Sequence, residues 1–239
     1  MAQPEFSWLS VVPTVVGGGI SLVTTMMVFG LGQWVERRKK AKEKKKQESV
    51  SAFSGFWKLK ALAEFLGNID LELDEAFAQA GDDVERLEPA DIIKGFLSAD
   101  ENFSEFSIDE LVFLHRQKRT QLIADIYLLL RRVRNIEAVV KKYTELRQKL
   151  EVILEERATK IEKTDAGHPE LTLSERDASV VNLRRGNLNQ ILGGLHVLLE
   201  RDVPESKLLT ETYLELARKE FGGDFPDFKL EWVKPNANP

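Results

Sequence analysis

Apolar side chains recur at alternating intervals of four and three through the middle of this chain: Leu122, Ile126, Leu129, Val133, Ile136, Val140 and Tyr143. Arg147 interrupts the series, and Leu150 and Leu154 resume it. This is a heptad rhythm, in which the a and d positions of a helix form one packed seam. No Pro or Gly occurs between Ile108 and Ala166. The pattern therefore predicts one long helix over about 108–163, roughly 80 Å at the usual rise per residue. A helix of that length needs either a second chain or further helices laid along it. Leu128, Leu130, Val139, Leu146 and Ile153 widen the apolar stripe beyond a strict seam. A wide stripe favours a bundle of three or more helices over an isolated two-stranded coil.

The flanking segments carry shorter helical signals. Apolar residues at 53, 56, 57, 59, 62, 65, 66 and 69 follow a helical period,. Core packing is the expected role of this aromatic-rich stripe, with a place in a lipid headgroup layer as the alternative. Leu71, Leu73, Ala76, Phe77 and Ala80 extend or restart the helix up to Gly81. Glu88-Pro89-Ala90-Asp91 reads as a helix start, with Pro in the first turn and acids near the positive dipole end. Residues 98–106 read as a loop. Ser107 and Glu110 have the spacing of a capping box. Thr164 to Pro169 reads as a turn, and Ser174 to Asp177 as the cap of the next helix, with Val181, Leu188, Ile191, Leu192, Leu195, Leu198 and Leu199 on its buried side. Asp202-Val203-Pro204-Glu205 is expected to end that helix and start another, which stops at Gly222-Gly223. In the tail, Phe228, Leu230 and Trp232 share one face of an extended segment, expected to dock across the bundle.

The N-terminal pattern is of another kind. From Phe6 to Val35 there is no charged side chain; Glu36 to Lys46 then holds eight basic residues against two acidic ones. About 20 mostly apolar residues suffice to cross a bilayer. The stretch 11–35 is thus expected to be a transmembrane helix, flanked at the interfaces by Trp8 and Trp34, roughly 39 Å apart along a helix. The basic residues Arg37, Arg38, Lys39, Lys40, Lys42, Lys44, Lys45 and Lys46 follow the apolar stretch rather than precede it, unlike the order in a secretory signal. Positive charge stays inside, so residues 1–10 are expected outside and the bulk of the chain in the cytoplasm, with a bacterial inner membrane as the default setting. The same basic segment, 36–48, favours anionic lipids by about 1 kcal/mol per residue near the surface. Gly17, Ser21 and Thr25 recur every fourth residue, a spacing that lets helices approach closely in a bilayer.

Charge is segregated along the chain. The formal net charge is −5, so with a basic run at 36–46 the remainder is more acidic still. Nucleic acid is excluded as an expected partner, because phosphate contacts need a clustered basic face. Residues 62–112 hold 15 acidic side chains against Arg86 and Lys94, and residues 115–163 hold 13 basic against 7 acidic. An acidic helical layer packed on a basic helix is expected from that contrast. The chain has no cysteine, which removes disulfides, thiolate zinc sites and thiol nucleophiles.

The chemistry-bearing residues form no recognised motif. His115, His168 and His196 lack metal-ligand spacing. Asp70-x-Glu72-x-Asp74 starts like a calcium loop, but Glu75 and Gly81 stand where Gly and Glu are needed. The segment His115 to Leu122 resembles the phospho-accepting helix of membrane histidine kinases over about eight residues. It departs from that pattern in spacing and in the absent acidic neighbour, and no Gly-rich nucleotide domain follows. No catalytic residue, cofactor or metal is expected.

The fold class expected is all-α: a single N-terminal transmembrane helix, then a cytoplasmic helical domain at 49–223 built on one long coiled-coil-like helix, then an extended tail at 224–239. The function expected is a membrane-tethered scaffold or adaptor, with a protein partner or a second copy and anionic lipids as its contacts. A signal-transmitting subunit of a membrane complex and an enzyme with an acidic site are the alternatives.

Overall fold

The computed structural model describes residues 8–80, 88–96, 103–157, 160–163 and 169–232, with side chains described over 29–76, 88–96, 103–157 and 172–232. It divides into two compact units, Met1–Ser49 and Val50–Pro239. Helix α1 spans Trp8–Ala80. Among the described residues no helix is long and apolar enough to cross a membrane. The side chains of the apolar stretch 11–28, with Trp8, Gly17, Ser21 and Thr25, lie outside that description. The part of the first unit with described side chains is polar and open: residues 29–47 are all exposed. Within it the Arg38 guanidinium lies 3.7 Å from the centre of the Trp34 ring, and Lys40 pairs with Glu36 at 2.8 Å.

The second unit is a helical bundle. Its elements are the second part of α1, then α2 (Pro89–Ile92), α3 (Ile108–Arg116), α4 (Thr120–Arg157), β1 (Lys160–Lys163), β2 (Pro169–Thr172) and α5 (Glu175–Phe221). A single 3-10 turn, Gly222–Asp224, follows. From α1 the bundle takes Phe56, Leu59, Leu62, Phe65, Leu66 and Ile69, all buried, whereas Trp57 on the same helix stays about half exposed. Each fully buried side chain of this size contributes about 1.5–3 kcal/mol by leaving water. Helices α4 and α5 run antiparallel. Arg157 meets Asp177 at 2.5 Å near the hairpin, and Arg132 meets Asp202 at 3.2 Å an equal distance along both helices.

The predicted long helix over 108–163 is in fact two helices and a strand. The break falls at Gln117–Arg119, where Lys118 has φ +57°. The Lys118 N–H bonds to the His115 carbonyl and the Arg119 N–H reaches back to the Leu114 carbonyl. That pair of bonds is a Schellman closure, which satisfies carbonyls that α3 would otherwise leave open. Glycine is the usual residue at such a left-handed position, and a lysine there gives no sequence signal. At the other end α4 stops at Arg157. Residues 160–163 instead pair antiparallel with 169–172, Ile161 opposite Leu171 and Glu162 opposite Glu170. The segment expected to turn, 164–168, lies outside the described residues, as does His168.

Helix α5 departs from expectation in the opposite sense. It runs unbroken through Pro204. Proline removes one backbone bond from a helix interior, but Pro204 is on the exposed side, where water can serve the freed carbonyl,. Its neighbours hold the helix on the inner side. Asp202 is fully buried and accepts from Arg201 and Arg132, and the Ser206 hydroxyl donates to the Val203 carbonyl at 2.7 Å.

The cap signals place their helices. Ser107 caps α3, its hydroxyl accepting from the Glu110 N–H at 3.4 Å while Glu110 accepts from the Ser107 N–H at 2.8 Å. Ser174 caps α5 through the Asp177 N–H at 3.2 Å. Helix α2 is fastened to α5: Asn189 accepts from the Ala90 N–H at 2.8 Å, and Arg185 donates to Asp91 at 2.8 Å. Among the described residues basic side chains of α4 pair with acids of α5 and with the acidic segment before α3. Arg132 and Arg157 pair with acids of α5, and Arg134 reaches Glu105 at 3.3 Å.

Candidate functional site

The heptad positions of α4 face inward. Ile126, Leu129, Val133, Ile136, Val140, Tyr143 and Leu150 are buried, and Leu122 and Leu154 are partly buried against the same core. That core also holds Val181, Leu188, Leu192, Leu195 and Leu199 of α5. The seam is thus occupied within one chain. Arg147, which interrupts it, is buried too; it pairs with Glu151 at 3.5 Å, and its Nε has no hydrogen-bond partner among the described residues. The residues of the basic run, Arg37 to Lys46, are exposed along α1.

Two polar clusters bind the bundle internally. The first centres on Glu110, nearly buried, whose carboxylate accepts from Lys58 Nζ at 2.9 Å and from the Ser54 hydroxyl at 2.8 Å. Burial alone would push this carboxyl up. The Lys58 ammonium, the Ser107 N–H and the Ser54 hydroxyl outweigh it and hold the group below its ordinary range. Beside it the Tyr213 hydroxyl donates to the Glu110 carbonyl at 2.7 Å and lies 2.9 Å from the Ala52 carbonyl, so one phenol of α5 joins α1 to α3. Burial and the nearby Glu110 charge push the phenol well above its ordinary range. A group with a lowered folded pKa stabilises the fold above its unfolded value and loses that contribution as pH falls through the folded one. Glu110→Gln is expected to cost about 1–3 kcal/mol at neutral pH. It is also expected to flatten the acid limb of the stability curve, measured by denaturant unfolding from pH 7 down to pH 3. The second cluster is the Asp202 group with Arg132, Arg201 and Glu205.

An arrangement open to a ligand lies between α1 and α5. Glu64, Gly67, Asn68, Leu71 and Asp74 follow an i, i+3, i+4, i+7, i+10 spacing, so α1 presents them on one face, with Asp70 beside them,. Val203 and Lys207 of α5 form the opposite wall, and Trp232 of the tail closes one end. Together they enclose a cavity of about 310 Å³, at the lower end of the range for small-molecule sites. The Trp232 indole N–H donates to Glu211 at 2.8 Å, and Lys207 Nζ is 5.9 Å from its ring centre. Glu64 is paired with Lys60. Asp70 and Asp74 form no ion pair among the described residues. Burial, then the Asp74 charge, pushes the Asp70 carboxyl up; His196 and Lys207 oppose that shift, and Glu200 adds to it.

The sequence had marked Asp70 and Asp74 only as a failed calcium loop. Their four-residue spacing on a helix was the available signal; the approach of Lys207 and Trp232 was not visible. The described residues hold no group of three metal-ligating side chains placed to share an ion. His115 is exposed at the end of α3. His196, also exposed, stands 3.4 Å from Glu200. Comparison with protein-family models, with curated proteins and with solved structures returned no match.

Proposed function

We propose that this chain is a membrane-tethered helical scaffold or adaptor, anchored through residues 11–35 with the N-terminus outside and the bundle on the cytoplasmic face. The observation that carries this reading is the charge-free run from Phe6 to Val35 followed directly by eight basic residues. Length, flanking tryptophans and the order of apolar and basic segments all agree with an anchor of that orientation. The exposure of Arg37 to Lys46 suits contact with anionic lipid headgroups,. A protein partner is favoured by the outward face of α5, where Leu183, Val197 and Leu208 are each more than 60% exposed. Their separations of 14 and 11 residues put them on one side of the helix,. Self-association through the α4 seam is not part of the proposal, since that seam is filled by the chain's own helices.

Topology tests the reading. Protease added outside intact cells is expected to leave everything from Glu36 onward intact. Replacing the eight basic residues of 37–46 by neutral ones is expected to produce a mixed orientation. Digestion of the bundle in intact cells, or full release of the chain by carbonate washing, contradicts the proposal.

A further inference from the structure

We propose that the cavity between α1 and α5 is a binding site for an organic cation with an apolar body, the ammonium held by Asp70 and Asp74 and the body lying against Leu71, Val203 and the Trp232 ring. Partnering among the acids points there first. Glu110 has Lys58, Asp91 has Arg185, Asp177 has Arg157, and Asp202 has two arginines. Asp70 is only partly exposed, yet it faces Asp74 and no cation within ion-pair distance among the described residues. A desolvated carboxylate beside a like charge opposes folding unless something else compensates it. A bound cation supplies that compensation, and the cavity has room for one.

The walls define the rest of the ligand. Leu71 and Val203 supply apolar surface, and Trp232 supplies an aromatic ring whose negative face attracts cations,. Lys207 stands against Trp232 and makes no ion pair with Asp70 or Asp74 among the described residues, although its charge acts on Asp70 from across the cavity. That combination selects against anions and against small hydrated metal ions, and for an amine with a hydrophobic group. Among the described residues Trp232 is held by the indole–carboxylate hydrogen bond to Glu211 and by the Lys207 ammonium over its ring, on a segment outside the helices.

The test uses the full chain in detergent micelles and three isosteric probes: 2-phenylethylammonium, neutral 2-phenylethanol and phenylacetate. Calorimetry and tryptophan fluorescence are expected to show saturable binding of the cation at least tenfold tighter than the alcohol, and no binding of the anion. Trp232→Phe should remove most of the fluorescence response. Asp70→Asn should weaken the cation at least tenfold and leave the alcohol unchanged. The same substitution is expected to raise stability at neutral pH, because a carboxyl raised in the folded state destabilises above its unfolded value and not below it. Cation binding should fade as pH drops through the raised Asp70 value, with Glu64, Asp74, Glu200, His196 and Lys207 as the other titratable groups around it. A second variant guards against loss of fold. Nothing lies within 4 Å of where a Cβ would stand at Gly67, so Gly67→Leu fills the cavity while improving helix propensity, and it should abolish binding with unchanged or higher thermal stability. Equal binding of cation and alcohol, tighter binding of the anion, or full binding by Gly67→Leu would each overturn the proposal. So would the absence of binding by any probe.

Discussion

Gly55→Ala is expected to destabilise the bundle by about 2–4 kcal/mol, a large effect for one methyl group. A Cβ at position 55 would stand 2.5 Å from the Tyr213 hydroxyl oxygen and 3.1 Å from Glu110 Cβ. A flexible side chain could give way, but Tyr213 cannot do so freely. It is fully buried, ring-packed against Phe113 at 5.1 Å, and its hydroxyl bridges the Ala52 and Glu110 carbonyls. Moving it pulls the buried phenol O–H away from its acceptors and breaks the link between α1 and α3,. The double-mutant cycle isolates this cause. Removing the hydroxyl in Tyr213→Phe relieves the closest contact, so Gly55→Ala/Tyr213→Phe should be less destabilised than the sum of its parts. Urea unfolding of the four proteins, followed by near-ultraviolet circular dichroism, gives the coupling. Strict additivity would place the damage elsewhere.

Val133→Asp is expected to abolish the native fold, with a cost of several kcal/mol for an unpaired carboxylate at a fully buried seam position,. The fold rather than an oligomer is what should be lost, because the seam packs inside the chain. Glu145→Ala is the control: Glu145 is well exposed, and its contact with Lys142 at 3.7 Å is too loose to contribute measurably,. Thermal unfolding and sedimentation distinguish the outcomes. A folded Val133→Asp protein with altered mass would reinstate the seam as an interface between chains.

The period of the apolar residues was the most legible part of this fold. It marks the inner face of α4, the buried positions of α1 between Phe56 and Ile69, and the inner face of α5, because burial follows helical geometry whatever lies on the other side. Helix boundaries were legible where a side chain closes the helix, as at Ser107 and Ser174. The stop at Gly222 was legible too, because a glycine takes the positive-φ position there, but a backbone closure without glycine was not. The α3–α4 break rests on Lys118 alone, a residue type with no preference for that conformation, while Pro204, normally a break, is tolerated by its exposed position. The candidate site was hardly legible at all. Asp70 and Trp232 are far apart in sequence, and only tertiary packing decides that they border one cavity. Gly55 and Tyr213 show the same limit: each is unremarkable until the other is placed beside it.

The phenol that bridges Ala52 and Glu110 spans sequence separations of 161 and 103 residues. Phe53 of α1 likewise meets Phe225 and Phe228, at 5.8 and 5.9 Å between ring centres. During synthesis, the part of the α1 face that packs on α5 and the tail must therefore wait uncovered until they have been made. At about 5–20 residues per second, that interval is roughly ten to thirty seconds. Contacts of such long range also bear a large chain-closure entropy and form slowly. The nascent chain is thus most exposed to proteolysis and to chaperones after α1 emerges and before Tyr213 does, a vulnerability set by the order of the helices along the chain rather than by the stability of the finished bundle.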